Sequence, residues 1–115
     1  MLYSESLKKK KDFQDVYRSG KSFANRNLVM YRKENNLKKN RLGISVSKKV
    51  GNSVVRHHLT RLIRESYRLQ EEHFSCGYDI IVVVRVNARN STFADMNSAL
   101  IHLGKLHKIY KGDVM

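Results

Sequence analysis

Apolar residues recur at helical spacing close to the start of the chain. Phe13, Val16 and Tyr17 follow the i, i+3, i+4 pattern of one helix face, which predicts a helix over residues 10–19. Gly20 comes directly afterwards and is placed to end this helix. The start of the helix is less clearly marked than its end.

The second helical pattern is longer and has two distinct sides. It predicts a helix over residues 53–69, with Asn52 or Ser53 as the N-cap. The apolar stripe of this helix consists of Val55, Leu59, Leu62, Ile63, Ser66 and Leu69. The opposite stripe is basic and consists of His57, Arg61, Arg64 and Arg68, with Arg56 and Thr60 on its shoulder.

A third helix is predicted near the end of the chain. It should begin at Ser91 or Thr92, because Thr92 and Asp95 have the spacing of a capping box. The apolar face of this helix consists of Met96, Ala99, Leu100, Leu103 and Leu106.

Four segments have strand patterns, at residues 22–24, 28–32, 42–47 and 79–85. Asn25 marks a turn between the first two strands, and the polar residues 34–40 should join the second and third as a hairpin. The continuous β-branched run at residues 79–85 predicts a central strand that is covered on both faces. The element order is therefore αβββαβα, an α+β arrangement in a single domain over residues 1–115.

The charge is large and unevenly distributed. The chain carries 23 Lys and Arg against 10 Asp and Glu, a formal net charge of +13. Residues 1–68 hold 18 of the cations and 5 of the acids, whereas residues 69–115 are balanced. A surface polarised in this way favours a polyanionic partner such as a nucleic acid.

Several other classes of function lack the residues that they need. The single Cys76 cannot form an internal disulfide or a thiolate zinc site, and the five histidines do not have the spacing of a ligand cage. Gly51-Asn52-Ser53 lies between a strand and a helix as phosphate-binding turns do, but residues 43–49 lack the second glycine and the Lys-Ser/Thr ending of a P-loop. No signal-peptide or membrane-span pattern is present, so we expect a cytoplasmic protein without a membrane partner.

The basic stripe of the second helix is the feature most suggestive of function. A run of charge on a helix is usually only a solvated face, but Glu65 is the one acid between residues 38 and 68. These cations therefore repel one another unless phosphates neutralise them, and the preceding Lys48 and Lys49 add to the repulsion. The pattern predicts nucleic-acid contact through this face.

Aromatic residues beside the basic groups have two readings. Phe13, Tyr17 and Tyr31 could stack on unpaired bases, or they could belong to the hydrophobic core, which the helical spacing of Phe13 and Val16 favours. Spacing alone leaves both readings open.

A longer stretch of sequence matches a known pattern. The run RLGISVSKKVGNSVVRHHLTRLIRES, with KKDFQDVYRSGKSFANRNLVMY before it and GYDIIVVVR after it, resembles the bacterial ribonuclease P protein family. The residues that keep the family pattern are Lys48, Lys49, Gly51, Arg56, Arg61, Arg64 and Glu65. His57 stands where the family usually has Asn, His58 where it has Arg or Lys, and Thr60 where it has a basic residue.

The resemblance implies a fold and an activity. The fold is a two-layer α-β sandwich, whose four-stranded sheet contains a left-handed β-α-β crossover. The activity is removal of the 5′ leader from precursor tRNA by a catalytic RNA with Mg²⁺, which this chain assists. The implied partners are that RNA and the single-stranded leader, with no obligate protein partner. No catalytic residue, metal site or cofactor is then expected in the protein alone.

The resemblance also assigns residues to these two partners. The residues that it implies for contact with the catalytic RNA are Lys48, Lys49, Arg56, His57, Arg61 and Arg64. Arg68 continues the same basic stripe. A cleft between the first helix and the sheet would receive the leader, lined by Phe13, Tyr17, Val29, Tyr31 and Val84.

Two alternatives remain. A ribosomal or other structural RNA-binding protein would share the basic helix but would not distinguish precursor from mature tRNA. A protein-only metal-dependent nuclease would depend on an acid such as Asp79 or Glu65, and the lack of converging carboxylates disfavours it.

Overall fold

The computed structural model describes residues 4–111, which form three α-helices and one five-stranded mixed sheet. The strands are β1 (Ser4–Ser6), β2 (Lys21–Ala24), β3 (Leu28–Glu34), β4 (Asn40–Ser45) and β5 (Tyr78–Val84). The helices are α1 (Lys10–Ser19), α2 (Ser53–Gln70) and α3 (Phe93–Leu106). Two short 3₁₀ turns, Glu71–His73 and Val86–Ala88, flank β5. The α+β class is confirmed, with the order βαβββαβα.

The sheet contains one strand more than the four predicted. In the described residues the strand order is β1-β4-β5-β3-β2, and the additional strand β1 pairs in parallel with the start of β4. Its sequence Ser-Glu-Ser has no apolar alternation, so the hydrophobic pattern could not reveal it. Instead, long-range hydrogen bonds hold it in place, including one of 2.8 Å between the Ser4 and Tyr67 hydroxyls.

The predicted hairpin between β3 and β4 is wrong. Strand β5 lies between them, antiparallel to β3 and parallel to β4. Because every residue of β5 except Tyr78 and Val83 is buried, its backbone and side chains need neighbours on both edges and both faces. The hairpin between β2 and β3 is confirmed, and the Asn25 side chain accepts hydrogen bonds from the amides of Asn27 and Leu28 at its turn.

Strands β4 and β5 are adjacent and parallel, with α2 as the crossover between them. This is the β-α-β unit that the family resemblance implies. Its left-handed sense stays an expectation of that resemblance.

Alternate residues of the central strands point to two separate cores. Ile80, Val82 and Val84 of β5 pack in the larger core, which includes residues of α2 and α3. Ile81 is buried with Leu7 and Val16 of the α1 region on the other face. The two-layer description therefore leaves out α1, which adds a partial third layer.

Local signals set the starts of α2 and α3 as predicted. The Asn52 side chain accepts a hydrogen bond from the Val55 amide at 3.0 Å, and Thr92 and Asp95 form a reciprocal capping box. The last residue of each predicted apolar face is wrong, because Leu69 and Leu106 are 49% and 40% exposed. Leu69 lies roughly 100° around α2 from the buried stripe, and Tyr67 fills the core in its place.

Helix α3 ends at a buried histidine. The carbonyl of Met30 can only accept a hydrogen bond, so Nε2 of His107 donates to it at 2.8 Å. Nδ1 of His107 is buried and has no partner within the described residues. Burial lowers the pKa of His107 below its ordinary value, and nearby Arg32 and Lys21 lower it further against the opposing effect of the Met30 hydrogen bond.

We expect His107 to make the fold less stable in mild acid. Since its folded-state pKa lies below the ordinary value of 6.5, the unfolded chain takes up the proton first as the pH falls. This contribution to stability is therefore complete well above pH 6.5 and is lost as the pH falls through and below that value. Urea unfolding at several pH values should show a steeper loss for the wild type than for His107→Gln, which keeps a donor for Met30. Parallel curves for the two proteins would contradict this.

Candidate RNA-binding surfaces

The basic face of α2 lies on the side of the helix away from the sheet. Leu59, Ile63, Ser66 and Tyr67 are buried beneath the helix. The predicted contacts Lys48, Lys49, His57, Arg61, Arg64 and Arg68 are exposed, and Arg56 is half-buried. Six of the predicted contacts are therefore exposed, four of them on one side of α2 and the two lysines in the segment that precedes this helix. We refer to these seven residues as the basic face.

Most cations of the basic face have no acidic partner. Arg68 is the exception, because its Nε donates to Glu65 Oε2 at 3.0 Å, an ion pair that lowers the pKa of Glu65 and raises that of Arg68. Within residues 4–111, no salt bridge involves Lys48, Lys49, Arg56, Arg61 or Arg64. Their charges remain available to phosphates, whereas that of Arg68 is partly offset.

Three predicted aromatic residues meet between α1 and the sheet. The rings of Tyr17 and Tyr31 make an edge-to-face contact with centroids 4.9 Å apart, and the Phe13 centroid lies 6.3 Å from that of Tyr17. Tyr17 is 40% exposed, while Phe13 and Tyr31 are half-buried. The rings therefore pack together as core residues do, and they stay partly exposed, as base contact would require.

Gly43 of β4 lets the Phe13 ring lie against the sheet. A Cβ atom at this position would come within 2.5 Å of the Phe13 Cζ atom. This close approach explains a glycine inside a strand, where it is otherwise unfavourable.

The assignment of Val84 to this cleft is wrong. Val84 is 3% exposed and packs in the core beneath α2 and α3. Its neighbour Val83 is half-buried on the α1 side, directly opposite Val29 in the β3–β5 register. Successive side chains of a strand point to opposite faces, so this alternation was the signal for Val83. We define the cleft by Phe13, Tyr17, Val29, Tyr31 and Val83.

A partly buried ion-pair network links α1 to the sheet at one end of the cleft. Arg41 of β4 donates from Nε and Nη2 to the two carboxylate oxygens of Asp79, at 2.7 and 2.6 Å. Its Nη1 also reaches Asp12 of α1 at 3.4 Å. The hydrogen bonds to Asp79 raise the pKa of Arg41, and burial opposes them. The network links α1 to two strands and so helps to set the width of the cleft.

The sequence and structure match known proteins along nearly the whole chain. A family model described as ribonuclease P matches residues 1–108. The ribonuclease P protein component of Lachnoclostridium phytofermentans is 58% identical over 106 residues, covering 92% of this chain and 91% of the relative. That of Clostridium botulinum is 49% identical over 110 residues, covering 95% of this chain and 99% of the relative.

Solved structures agree with this match. The Staphylococcus aureus RNase P protein superposes with a TM-score of 0.85 at 40% identity, covering 94% of this chain and 97% of the other. The Thermotoga maritima protein gives a TM-score of 0.81 at 29% identity, covering 88% and 96%. The chain belongs to the bacterial ribonuclease P protein family. Members of this family assist the catalytic RNA in maturation of the 5′ ends of tRNA.

The carboxylates of the nuclease alternative are already engaged. Asp79 is paired with Arg41, and Glu65 with Arg68 on a separate surface. Within residues 4–111, no three His, Cys, Asp or Glu side chains are grouped so that they could hold a metal ion. Ribonuclease P catalysis by RNA does not require such a group in the protein.

Among the helices of residues 4–111, none has both the length and the apolar character needed to cross a membrane.

We expect Gly43→Ala to destabilise the protein through Phe13. The added methyl group would collide with the ring, and overpacking of this kind typically costs about 1–3 kcal/mol. In a Phe13→Ala background the same change should be neutral or stabilising, because the obstacle is gone. Denaturant unfolding of the four proteins in this double-mutant cycle measures the coupling. Additive effects would show that the Phe13–Gly43 contact does not carry the constraint.

Proposed function

We propose that the chain binds ribonuclease P RNA through its basic face and holds the precursor tRNA leader in the cleft between α1 and the sheet. Hydrolysis is left to the RNA. The observation that carries this proposal is that one domain presents both surfaces, a cationic one on the outer side of α2 and an aromatic one between α1 and the sheet. A generic structural RNA-binding protein needs the first surface but not the second.

The basic face suits the RNA backbone. Its unpaired arginines present planar forks that match phosphate oxygens, and Lys48 and Lys49 contribute point charges. Each phosphate neutralised should add roughly 0.7 to 0.9 to the dependence of log affinity on log salt. Binding through this face also relieves the repulsion among its own cations.

The cleft suits a single strand without a fixed sequence. Aromatic and aliphatic side chains such as Tyr17, Tyr31 and Val29 can contact the flat face of any base. They do not require particular hydrogen-bonding groups on the edge of that base. The leaders of different precursor tRNAs differ in sequence, so this kind of surface serves all of them.

The sheet register supports an arrangement in which the two surfaces adjoin at the carboxyl end of β4. Val83 in the cleft lies opposite Ser45, the last residue of β4. From there the chain leads through Lys48 and Lys49 to the start of α2. A strand leaving this end of the cleft therefore arrives beside the RNA held by the basic face, which would position the cleavage site next to the catalytic RNA.

In this proposal, Mg²⁺ is bound in the RNA-containing enzyme and not by the protein alone. We expect no cofactor to be bound by the protein alone and Mg²⁺ to act in the RNA-containing enzyme. The cations of the basic face would lower the Mg²⁺ concentration that the RNA needs, because they neutralise phosphates that Mg²⁺ would otherwise screen.

Replacing Tyr17 should weaken binding of precursor tRNA but not of mature tRNA. Loss of one stacked base costs about 1–3 kcal/mol, so Tyr17→Ala should reduce the affinity of the assembled enzyme for leader-bearing tRNA by about tenfold. Phe23→Ala is the matched control, because Phe23 is also 40% exposed but contacts His107 on the other side of the sheet. Equal losses for precursor and mature tRNA would contradict leader binding in the cleft.

Arginines of the basic face should determine how strongly salt weakens binding to the catalytic RNA. We expect Arg61→Gln and Arg64→Gln each to reduce the salt slope by about 0.7 to 0.9. Lys105→Gln on α3 removes the same charge outside the basic face and should leave the slope unchanged. If all three variants change the slope equally, net charge rather than this face governs binding.

A further inference from the structure

The first turns of α2 contain a recess that phosphate binding does not explain. It is lined by Ser53, Val54, His57, His58 and Arg61 and measures about 500 Å³, open to solvent. These residues recur at i, i+1, i+4, i+5 and i+8, so they form one exposed strip along the helix. We call this strip the α2 recess.

Val54 contributes apolar surface to the α2 recess. Its side chain is 75% exposed, more than any other large hydrophobic residue in the described part of the chain. A single exposed valine is ordinary on a protein surface, but here it stands within the most cationic region of the molecule. Phosphate oxygens gain nothing from contact with it.

The walls of the α2 recess are planar and polar. His57, His58 and Arg61 each present a flat group, and their side chains make no hydrogen bond within residues 4–111. The nearest acid along the helix is Glu65, which lines the adjoining surface with His58 and Phe93 and is held by Arg68. The recess therefore combines an apolar surface, planar groups that can stack on a base, and positive charge without an acidic partner.

We propose that the α2 recess receives an unpaired nucleobase of the catalytic RNA. This inference rests on the proposed binding of that RNA by the basic face. The base would lie against Val54 and an imidazole, while Arg61 contacts the phosphate beside it. A paired base is hidden within its helix, whereas an unpaired base can be splayed out onto such a surface.

A base contact and a phosphate contact respond differently to salt. Phosphate contacts release counterions, so the affinity that they provide falls as the salt concentration rises. Burial of a base against Val54 releases no counterions, so its contribution to affinity does not depend on salt in this way. The α2 recess should therefore add affinity without adding to the salt slope. This separates it experimentally from the arginines around it.

The test is binding of the full chain to ribonuclease P RNA across a range of salt concentrations, with the variant Val54→Ser. We expect affinity about fivefold weaker at every salt concentration, with an unchanged slope. Serine is well tolerated in the first turn of a helix and Val54 is largely exposed, so the fold should be unaffected. Val86→Ser is the matched control, since Val86 is 55% exposed and lies outside the α2 recess.

Chemical probing of the RNA bases provides a second readout. The wild-type protein should protect at least one unpaired base that becomes reactive again with Val54→Ser but not with Val86→Ser. Wild-type affinity and protection in Val54→Ser would overturn the base-binding inference and leave the proposed function standing. Failure of the wild-type chain to bind the RNA at all would overturn both.

Discussion

Burial of strand β5 on both faces of the sheet determines where the three helices must pack. This strand lies in the middle of the sheet and contributes alternate side chains to two cores, Ile80, Val82 and Val84 to one and Ile81 to the other. Both faces of the sheet must therefore be covered, which places α2 and α3 on one side and α1 on the other. Because β5 is parallel to β4, the chain must return along one face of the sheet to the end where β4 began. Helix α2 forms this crossover connection.

The two faces are covered to different extents, and this difference creates the two candidate binding surfaces. Two helices seal one face, so the outer side of α2 is free to carry the unpaired cations of the basic face. The ten-residue α1 covers only part of the other face and leaves the aromatic cleft beside it. Arg41 links Asp12 of this helix to Asp79 of β5, so a partly buried ion-pair network that belongs to the fold also borders the surface proposed to bind the leader.

Features that follow local rules could be predicted from the sequence, and those that depend on pairing between distant segments could not. Capping by Asn52 and by Thr92 with Asp95, and the period of α2, involve neighbours along the chain. Strand β1 and the insertion of β5 between β3 and β4 depend on contacts between distant residues. Within the candidate site, the exposed basic stripe follows from helix geometry alone. The predicted cleft contained Val84 in place of Val83. Neighbouring residues of a strand point to opposite faces of the sheet, so an error of one position puts a side chain on the wrong face.

In the proposed function, this chain binds the catalytic RNA and positions the precursor tRNA, and the RNA performs the cleavage. The most direct measurement is cleavage of a leader-bearing precursor tRNA at low Mg²⁺ by the catalytic RNA alone, by this protein alone, and by the two together. We expect cleavage at the mature 5′ end only when both are present, with the RNA alone recovering activity as Mg²⁺ is raised. Cleavage by the protein alone, or no effect of the protein on its cognate RNA, would contradict it.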